Sequence, residues 1–534
     1  MPLQTDEIIW SVSNHRAIVD HYELITLLPQ CQAATSFAKT LPLLWYPHAW
    51  VNHLLFMQIE NPLWIRIIGI IRCIFFLTVI WFIITPIASK LQYNPRIIFV
   101  LFLAALGLDE LPLLLQVTRP EQTILLSISI AIALTLHADT LIRYKWSKYS
   151  AMAVFLCVVL LLYPAHPKAI ATLPIMIVCT AVLFYRLTQN RLITAAIMLA
   201  IGCFAAMSVS LWIARYDCPH STLSAKLIAK HSLPLNMLWA DPWAFFAICI
   251  ESFRNALLYD FDIHSYIIEK MDWIPATLSP FPGWFIQINN CANFIAWEIK
   301  FSILAIGMWN ARLILCRRAI SANLPSVLGT MTLMTIVGFM LISGPVRMFY
   351  LVALQAPLLL LAALLNMPEY RHFIKPHRLW VRGGYLLMLF AVANMSWLSY
   401  RYYPFITTPA TRDLALSNHR PILLSAFGYD TRKTFIMDAY VQCGLPPLSE
   451  ATHLVLDDYT YPVLKHTQQP FSFYYITNIF SHGSKIYDNK QLATLLKEYN
   501  SSGIIMDCRE VPVSLQPFLS EYDGYCCAIG AKLK

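Results

Sequence analysis

Seven ionisable residues in this sequence have types and neighbours that could do chemistry: Asp6, Glu7, Arg119, Glu121, His166, Lys168 and Arg347. Asp6 and Glu7 lie in Thr5-Asp6-Glu7-Ile8-Ile9-Trp10, just ahead of an amphipathic stretch that reaches about Leu28. A carboxylate held within hydrogen-bond reach of an acceptor hydroxyl can take its proton as a general base. The same pair would equally complement the dipole of a starting helix. Arg119-Pro120-Glu121 opens an apolar run, where Pro near the first turn is structurally ordinary. Arg119 is suited to bind a phosphate, and Glu121 to orient that phosphate or a sugar hydroxyl. The acidic pair Asp109-Glu110 lies near the end of the preceding run, available to pair with Arg119. His166-Pro167-Lys168 and Arg347 add three more groups on two further loops. A single cation at a membrane surface commonly snorkels, whereas several converging on one cavity suit a charged lipid phosphate. Arg66 and Arg72, near the start of the first apolar run, are candidates to join them. Asp457-Asp458 has no third carboxylate or His at ligand spacing, so loop capping is its expected role.

The elements that must carry these residues follow from composition. The chain has 534 residues, of which 58% are apolar and 13% charged, with a mean hydropathy of +0.56. Soluble domains average about 45–50% apolar and about 25% charged residues. A water-soluble enzyme, a disordered chain and a nucleic-acid binder are therefore all poor fits. The net charge is +9, and the segment from Arg401 onward carries 12 basic and 12 acidic residues, so the surplus lies in the apolar part. A surplus placed among apolar segments orients spans.

Apolar runs of membrane type occupy 65–87, 97–115, 122–138, 150–164, 169–185, 192–213, 298–315, 324–343, 348–366 and 384–400, about ten helices. Several approach the short limit for crossing roughly 30 Å of hydrocarbon, so broken or shielded helices are expected. One set of loops carries Lys90, Arg96, Arg143, Lys145, Lys148, Arg186, Arg191, Arg312, Arg317, Arg318, Arg371, Lys375, Arg378 and Arg382, opposed only by Asp139 and Glu369. The alternate loops hold only Arg119, Lys168 and Arg347. The positive-inside rule places the first set in the cytoplasm. Residues 1–64, a long loop at about 214–297 and the tail from about 400 then face outward. Residues 1–64 contain no run long enough to cross, so a first membrane helix encoded upstream of Met1 is expected.

The resulting fold class is an all-α polytopic membrane domain with a small C-terminal α/β domain outside the cytoplasm. Its parts are a first outer loop with interfacial helices (1–64), transmembrane helices (65–213), a long outer loop (214–297), further transmembrane helices (298–400) and the α/β domain (401–534). The long loop reads as helical and interfacial, with Trp239, Trp243, Trp273 and Trp284 among prolines. In the tail, His453–Leu456 and Gly503–Met506 are strand-like and end at Asp457 and Asp507, with a helical stretch from Gln491 to Tyr499 between them. Of 13 cysteines, Cys73, Cys157, Cys179, Cys203 and Cys316 read as small apolar residues in or beside spans. The outward ones, Cys31, Cys218, Cys249, Cys291, Cys443, Cys508, Cys526 and Cys527, are free to pair in an oxidising compartment, with connectivity left open by sequence.

This layout resembles the GT-C superfamily of integral membrane glycosyltransferases, which includes protein O-mannosyltransferases and aminoarabinose transferases. The similarity rests on an Asp-Glu pair in a first outer loop, short outer loops with a lone cation, and an outward C-terminal domain. Gly344-Pro345-Val346-Arg347-Met348-Phe349-Tyr350 is similar to an Arg-Tyr segment before a late helix, and Arg119-Pro120-Glu121 to an outer-loop motif of bacterial members. The resemblance implies sugar transfer from a polyprenyl-phosphate donor to a lipid, glycan or protein acceptor, at the outer face of a bacterial inner membrane. Asp6, with Glu7 beside it, would then be the catalytic base. Arg119, Lys168, His166 and Arg347 would hold the donor phosphate, and Glu121 would orient the substrate. Partners would be the donor, the acceptor and membrane lipid, with no nucleic acid. Some members use a divalent metal, for which this sequence offers no clear ligand set. Two other readings stay open: an O-antigen polymerase or ligase relying on Arg215, His220, His231 and Arg254, and a secondary transporter, for which mid-membrane charges are few.

Overall fold

The computed structural model describes residues 62–216 apart from 108–110 and 117, then 237–258, 324–342, 350–370 and 382–396 apart from 394. In the tail it describes 429–464 apart from 458–459, then 471–472, 500–508, 511 and 515–530, with isolated positions at 287, 305, 307, 309 and 497. Among these the principal helices are α1 (Pro62–Leu91), α2 (Pro95–Leu106), α3 (Pro120–Leu136), α4 (Lys145–Ala165), α5 (Leu173–Thr188), α6 (Arg191–Tyr216), α7 (Pro242–Leu258), α8 (Leu324–Ile342), α9 (Tyr350–Asn366), α10 (Arg382–Ala393) and α11 (Tyr429–Gln442). Five stretches are long and apolar enough to cross a membrane: Ile67–Leu91, Trp146–Ala165, Pro167–Thr188, Arg191–Ser210 and Leu324–Ile342. Four apolar helices are shorter: Pro95–Leu106, Pro120–Leu136, Leu354–Asn366 and Arg382–Ala393. The expected run 298–315 lies outside the described residues save for single positions.

Two apolar runs depart from single straight helices. The run at 97–115 divides, because Gly107 ends α2 by turning its N–H onto the Leu103 and Ala104 carbonyls, and a four-residue helix, Leu111–Leu114, follows. The run at 169–185 begins as a 3-10 helix, Pro167–Thr172, before α5 takes over at Leu173. Pro86 inside α1 has no N–H to give the Phe82 carbonyl four residues earlier. That carbonyl instead accepts from the Thr85 hydroxyl (3.0 Å) and lies 2.9 Å from Nε2 of His137, the cap residue that ends α3. In an apolar environment such an orphan must be satisfied inside the protein, and here the repair ties α3 to α1.

The helical core is one contiguous cluster joining α1 through α6 with α8 and α9. Outside it, large apolar side chains such as Ile74 and Phe82 on α1, Leu160 on α4, Leu199 on α6 and Leu389 on α10 remain exposed. An apolar exterior around an apolar core is compatible with a helix bundle in a membrane. Within the long loop, Asp241 caps α7 by accepting from the Ala244 N–H (3.1 Å), and α7 packs Phe245 and Cys249 against Leu341 and Ile342 at the end of α8. Trp239 and Trp243 on this segment are among the most exposed aromatics.

The tail is an α/β unit, as its sequence pattern predicts. Its five-stranded sheet has the order β2-β1-β3-β5-β4, where β1 is Val455–Leu456, β2 Phe471–Ser472, β3 Gly503–Asp507, β4 Ser520–Tyr522 and β5 Tyr525–Ile529. β1 pairs in parallel with β2 and β3, while β5 runs antiparallel to β3 and β4. Successive residues of β5 face opposite sides of the sheet, and Cys526 and Cys527 use this. Cys527 is bonded to Cys443, just past α11, and Cys526 to Cys508, just past β3. The helical stretch expected at 491–499 lies outside the described residues apart from Lys497.

Candidate functional site

Arg119 is held in place by the backbone that precedes it. Gln116 and Thr118 lie against the first turns of α1, where Gly69 permits close approach: a Cβ there would stand 1.9 Å from the Gln116 carbonyl oxygen. The Thr118 hydroxyl donates to the Ile65 carbonyl (3.1 Å), and the Gln122 amide donates to the Leu115 carbonyl. These contacts strap the segment from both sides. Arg119 then takes an extended conformation as the N-cap residue of α3, with Pro120 in the first turn and Glu121 behind it.

The Arg119 Nε–H donates to Glu121 Oε2 at 3.1 Å, and the two side chains are only 9% and 8% exposed. His166 caps the Pro167–Thr172 turn, its Nδ1 accepting the Lys168 backbone N–H at 3.1 Å. A ring nitrogen that accepts carries no proton, so the neutral imidazole holds its hydrogen on Nε2 and presents a donor there. Burial, then the charges of Lys168 and Arg119, hold His166 well below the ordinary imidazole range, so it is neutral near pH 7. Lys168 in turn interacts electrostatically with Glu121 and Arg119. The structure thus joins four residues expected from separate loops, Arg119, Glu121, His166 and Lys168, at one end of the bundle.

Two cations, one carboxylate and a neutral imidazole leave this group with a net charge of about +1. The N-terminus of α3 also lies at this end, where the positive end of its helix dipole favours an anion further. The opposite end is of another kind. There Arg186 pairs with Asp139, with side chains 31% and 74% exposed, among the loops bearing Lys90, Arg143 and Lys148. The two ends are those the loop charges separate in the sequence, with the four converging groups at the end poor in basic residues.

Asp6, Glu7 and Arg347 lie outside the described residues, as do Asp109 and Glu110. Arg72 lies on the Ile65–Gly69 face of α1, deeper in the bundle. Asp457 is a capping residue, as expected: its Oδ1 accepts from the Thr460 N–H (2.8 Å) and hydroxyl (2.7 Å), and its Oδ2 from the Asp507 N–H (2.6 Å). Its burial, followed by the nearby Asp507 charge, raises its pKa. One possible metal-ligating trio among the described residues, Cys508, Glu521 and Cys526, has its two sulfurs joined in a disulfide. Sequence reasoning missed Ile65, Gly69 and Thr118. Only Gly69 carried a signal, a lone glycine inside an apolar helical run.

No protein-family model, curated protein or solved structure matches the chain. Among the described residues the architecture defines a class: a mostly helical protein with five helices long and apolar enough to cross a membrane, a small disulfide-bonded α/β domain, and a buried Arg119–Glu121 pair beside half-buried His166 and Lys168 at one bundle end.

Proposed function

We propose that the protein is a membrane glycosyltransferase that moves a sugar from a polyprenyl-phosphate donor to a hydroxyl of a lipid, glycan or protein acceptor. The observation that carries this reading is the convergence of Arg119, Lys168, His166 and Glu121. A phosphate at a lipid surface is the anion such a group suits, since Arg offers a planar fork and Lys a compact charge.

In the proposed reaction Asp6 takes the proton of the acceptor hydroxyl, whose oxygen bonds to the anomeric carbon of the sugar. The bond from that carbon to the phosphate oxygen breaks, with inversion, and the polyprenyl phosphate leaves with the electron pair. Arg119 and Lys168, joined by Arg347, stabilise the charge growing on the leaving oxygen, while the Nε2–H of His166 donates a neutral hydrogen bond. Glu121 fixes the Arg119 fork and thereby the phosphate orientation. The site is assigned to the outer face of a bacterial inner membrane, with the tail domain on that side. Two points support this placement: the basic loops lie at the other end of the bundle, and the tail carries two disulfides.

The test is mass spectrometry of envelope glycans from a deletion strain complemented with wild type, Asp6→Asn or Arg119→Ala, at matched membrane levels of protein. A sugar mass lost on deletion, restored by wild type and missing with both variants is the expected result. Full restoration by Asp6→Asn removes the base from the scheme. Full restoration by both variants overturns the reading.

A further inference from the structure

Among the described residues, one residue of α1 belongs to the core of the tail domain. Ile65, in the first turn of α1 and fully buried, belongs to the cluster formed by Ile436, Ala439, Tyr440, Leu456, Tyr461, Ile505 and Cys527. The backbone carbonyl of the same residue accepts the Thr118 hydroxyl at 3.1 Å. One turn further along α1, Gly69 receives the Gln116 carbonyl. Arg119 follows Thr118 directly. A continuous path therefore runs from the apolar cluster of the tail, through Ile65, into the strap that fixes Arg119.

We infer that the tail domain positions the Arg119 phosphate site by clasping Ile65, with Ile65 and Thr118 as positioning residues that do not touch the substrate. The physical reason lies in how each end of the link is fixed. An isoleucine side chain buried in a core cannot shift without opening a cavity, so the first turn of α1 follows the tail. The Thr118 hydroxyl is almost fully buried, and its bond to the Ile65 carbonyl cannot be exchanged for water without cost. When the tail is seated, the strap has a single position and Arg119 reaches Glu121 with its Nε–H. When the clasp is released, the first turn of α1 frays and the arginine loses its fixed origin. The tail is then a structural part of the phosphate site. This inference rests on the phosphate reading of the Arg119 group for its binding consequence, but not for its mechanical one.

The experiment uses the full chain in lipid nanodiscs with farnesyl phosphate as the probe. Two quantities are measured: its dissociation constant, and hydrogen exchange at the amides of residues 115–119. Ile65→Asp and Thr118→Val are compared with the conservative variants Ile65→Val and Thr118→Ser, and with Arg119→Ala. Resistance of the Cys443–Cys527 disulfide, in which Cys527 is buried, to a mild concentration of dithiothreitol, read by alkylation of any thiol released, reports that the tail remains folded. Ile65→Asp and Thr118→Val are expected to weaken binding by about tenfold, within the usual range for energetic coupling between sites, and to speed exchange at 115–119. Ile65→Val and Thr118→Ser are expected to restore both. Unchanged exchange in Ile65→Asp and Thr118→Val, with the tail folded, overturns the inference. So does faster exchange with unaltered binding when Arg119→Ala has lost it. If Arg119→Ala binds like wild type, the phosphate reading fails, and the exchange data alone decide whether the clasp exists.

Discussion

The two ends of the helical bundle use the same residue types to opposite effect. At one end Arg119 and Glu121 meet with side chains under a tenth exposed, beside His166 and Lys168. At the other Arg186 and Asp139 meet with most of the aspartate in solvent, beside loops rich in Arg and Lys. An exposed ion pair is screened and contributes little, whereas a buried one has given up its hydration and depends on its partner. The basic end therefore differs from the other in the number of its charges, and the other end in the close arrangement of a few groups.

The largest contrast is expected from removing one carboxylate at each end. Glu121→Gln removes the carboxylate that accepts from the buried Arg119 Nε–H and should cost about 3–5 kcal/mol, while Asp139→Asn should cost no more than about 1 kcal/mol. Equilibrium unfolding of both variants in lipid measures the gap, and equal losses would make the buried pair no different from a surface one.

Next come two glycines on α1 and α6. Gly69→Ala drives a Cβ into the Gln116 carbonyl, and overpacking of this kind typically costs about 1–3 kcal/mol. Gly202 has nothing within 4 Å of an added Cβ, so Gly202→Ala should be neutral or gain up to about 1 kcal/mol from helix propensity. If the proposed phosphate site is right, affinity for farnesyl phosphate should fall in the first variant and hold in the second.

The smallest effect is a pH dependence confined to the buried end. His166 has a folded pKa below its unfolded value, so the unfolded chain binds the extra proton first. Its stabilising contribution is complete above the unfolded pKa of about 6.5 and is lost as pH falls towards the folded one, by at most about 1.4 kcal/mol per pH unit. His166→Gln should flatten the stability profile below that pH. An unchanged slope would place the titration elsewhere.

Much of the architecture is legible in the sequence. The apolar runs anticipate α1, α3, α4, α5, α6, α8, α9 and α10, because a lipid-solvated helix needs apolar residues on every face and so leaves an uninterrupted signal. The strands β1 and β3 appear as short apolar runs ending in Asp457 and Asp507, where the chain turns. Arg119, Glu121, His166 and Lys168 stand out individually because charge is scarce among apolar segments. What the sequence does not carry is their meeting, since each lies on a loop whose distance from the others depends on how the helices pack. The breaks at Gly107 and Pro167 are local in origin and still escape a window of about 19 residues, which averages over them.

The disulfide pairing and the role of Ile65 belong to the same class. The eight cysteines that the sequence sets apart from the spans admit many connectivities, and only the register of β3 against β5 brings Cys508 to Cys526 while turning Cys527 towards Cys443. Nothing in Ile65 as a residue distinguishes it from its apolar neighbours on α1. Its place in the tail's core, and its carbonyl's bond to Thr118, arise from chain segments far apart in sequence that packing alone brings together. Composition and periodicity settle which segments avoid water, because that preference is a property of each residue and its near neighbours. The site is a property of distances, and those exist only once the chain has folded.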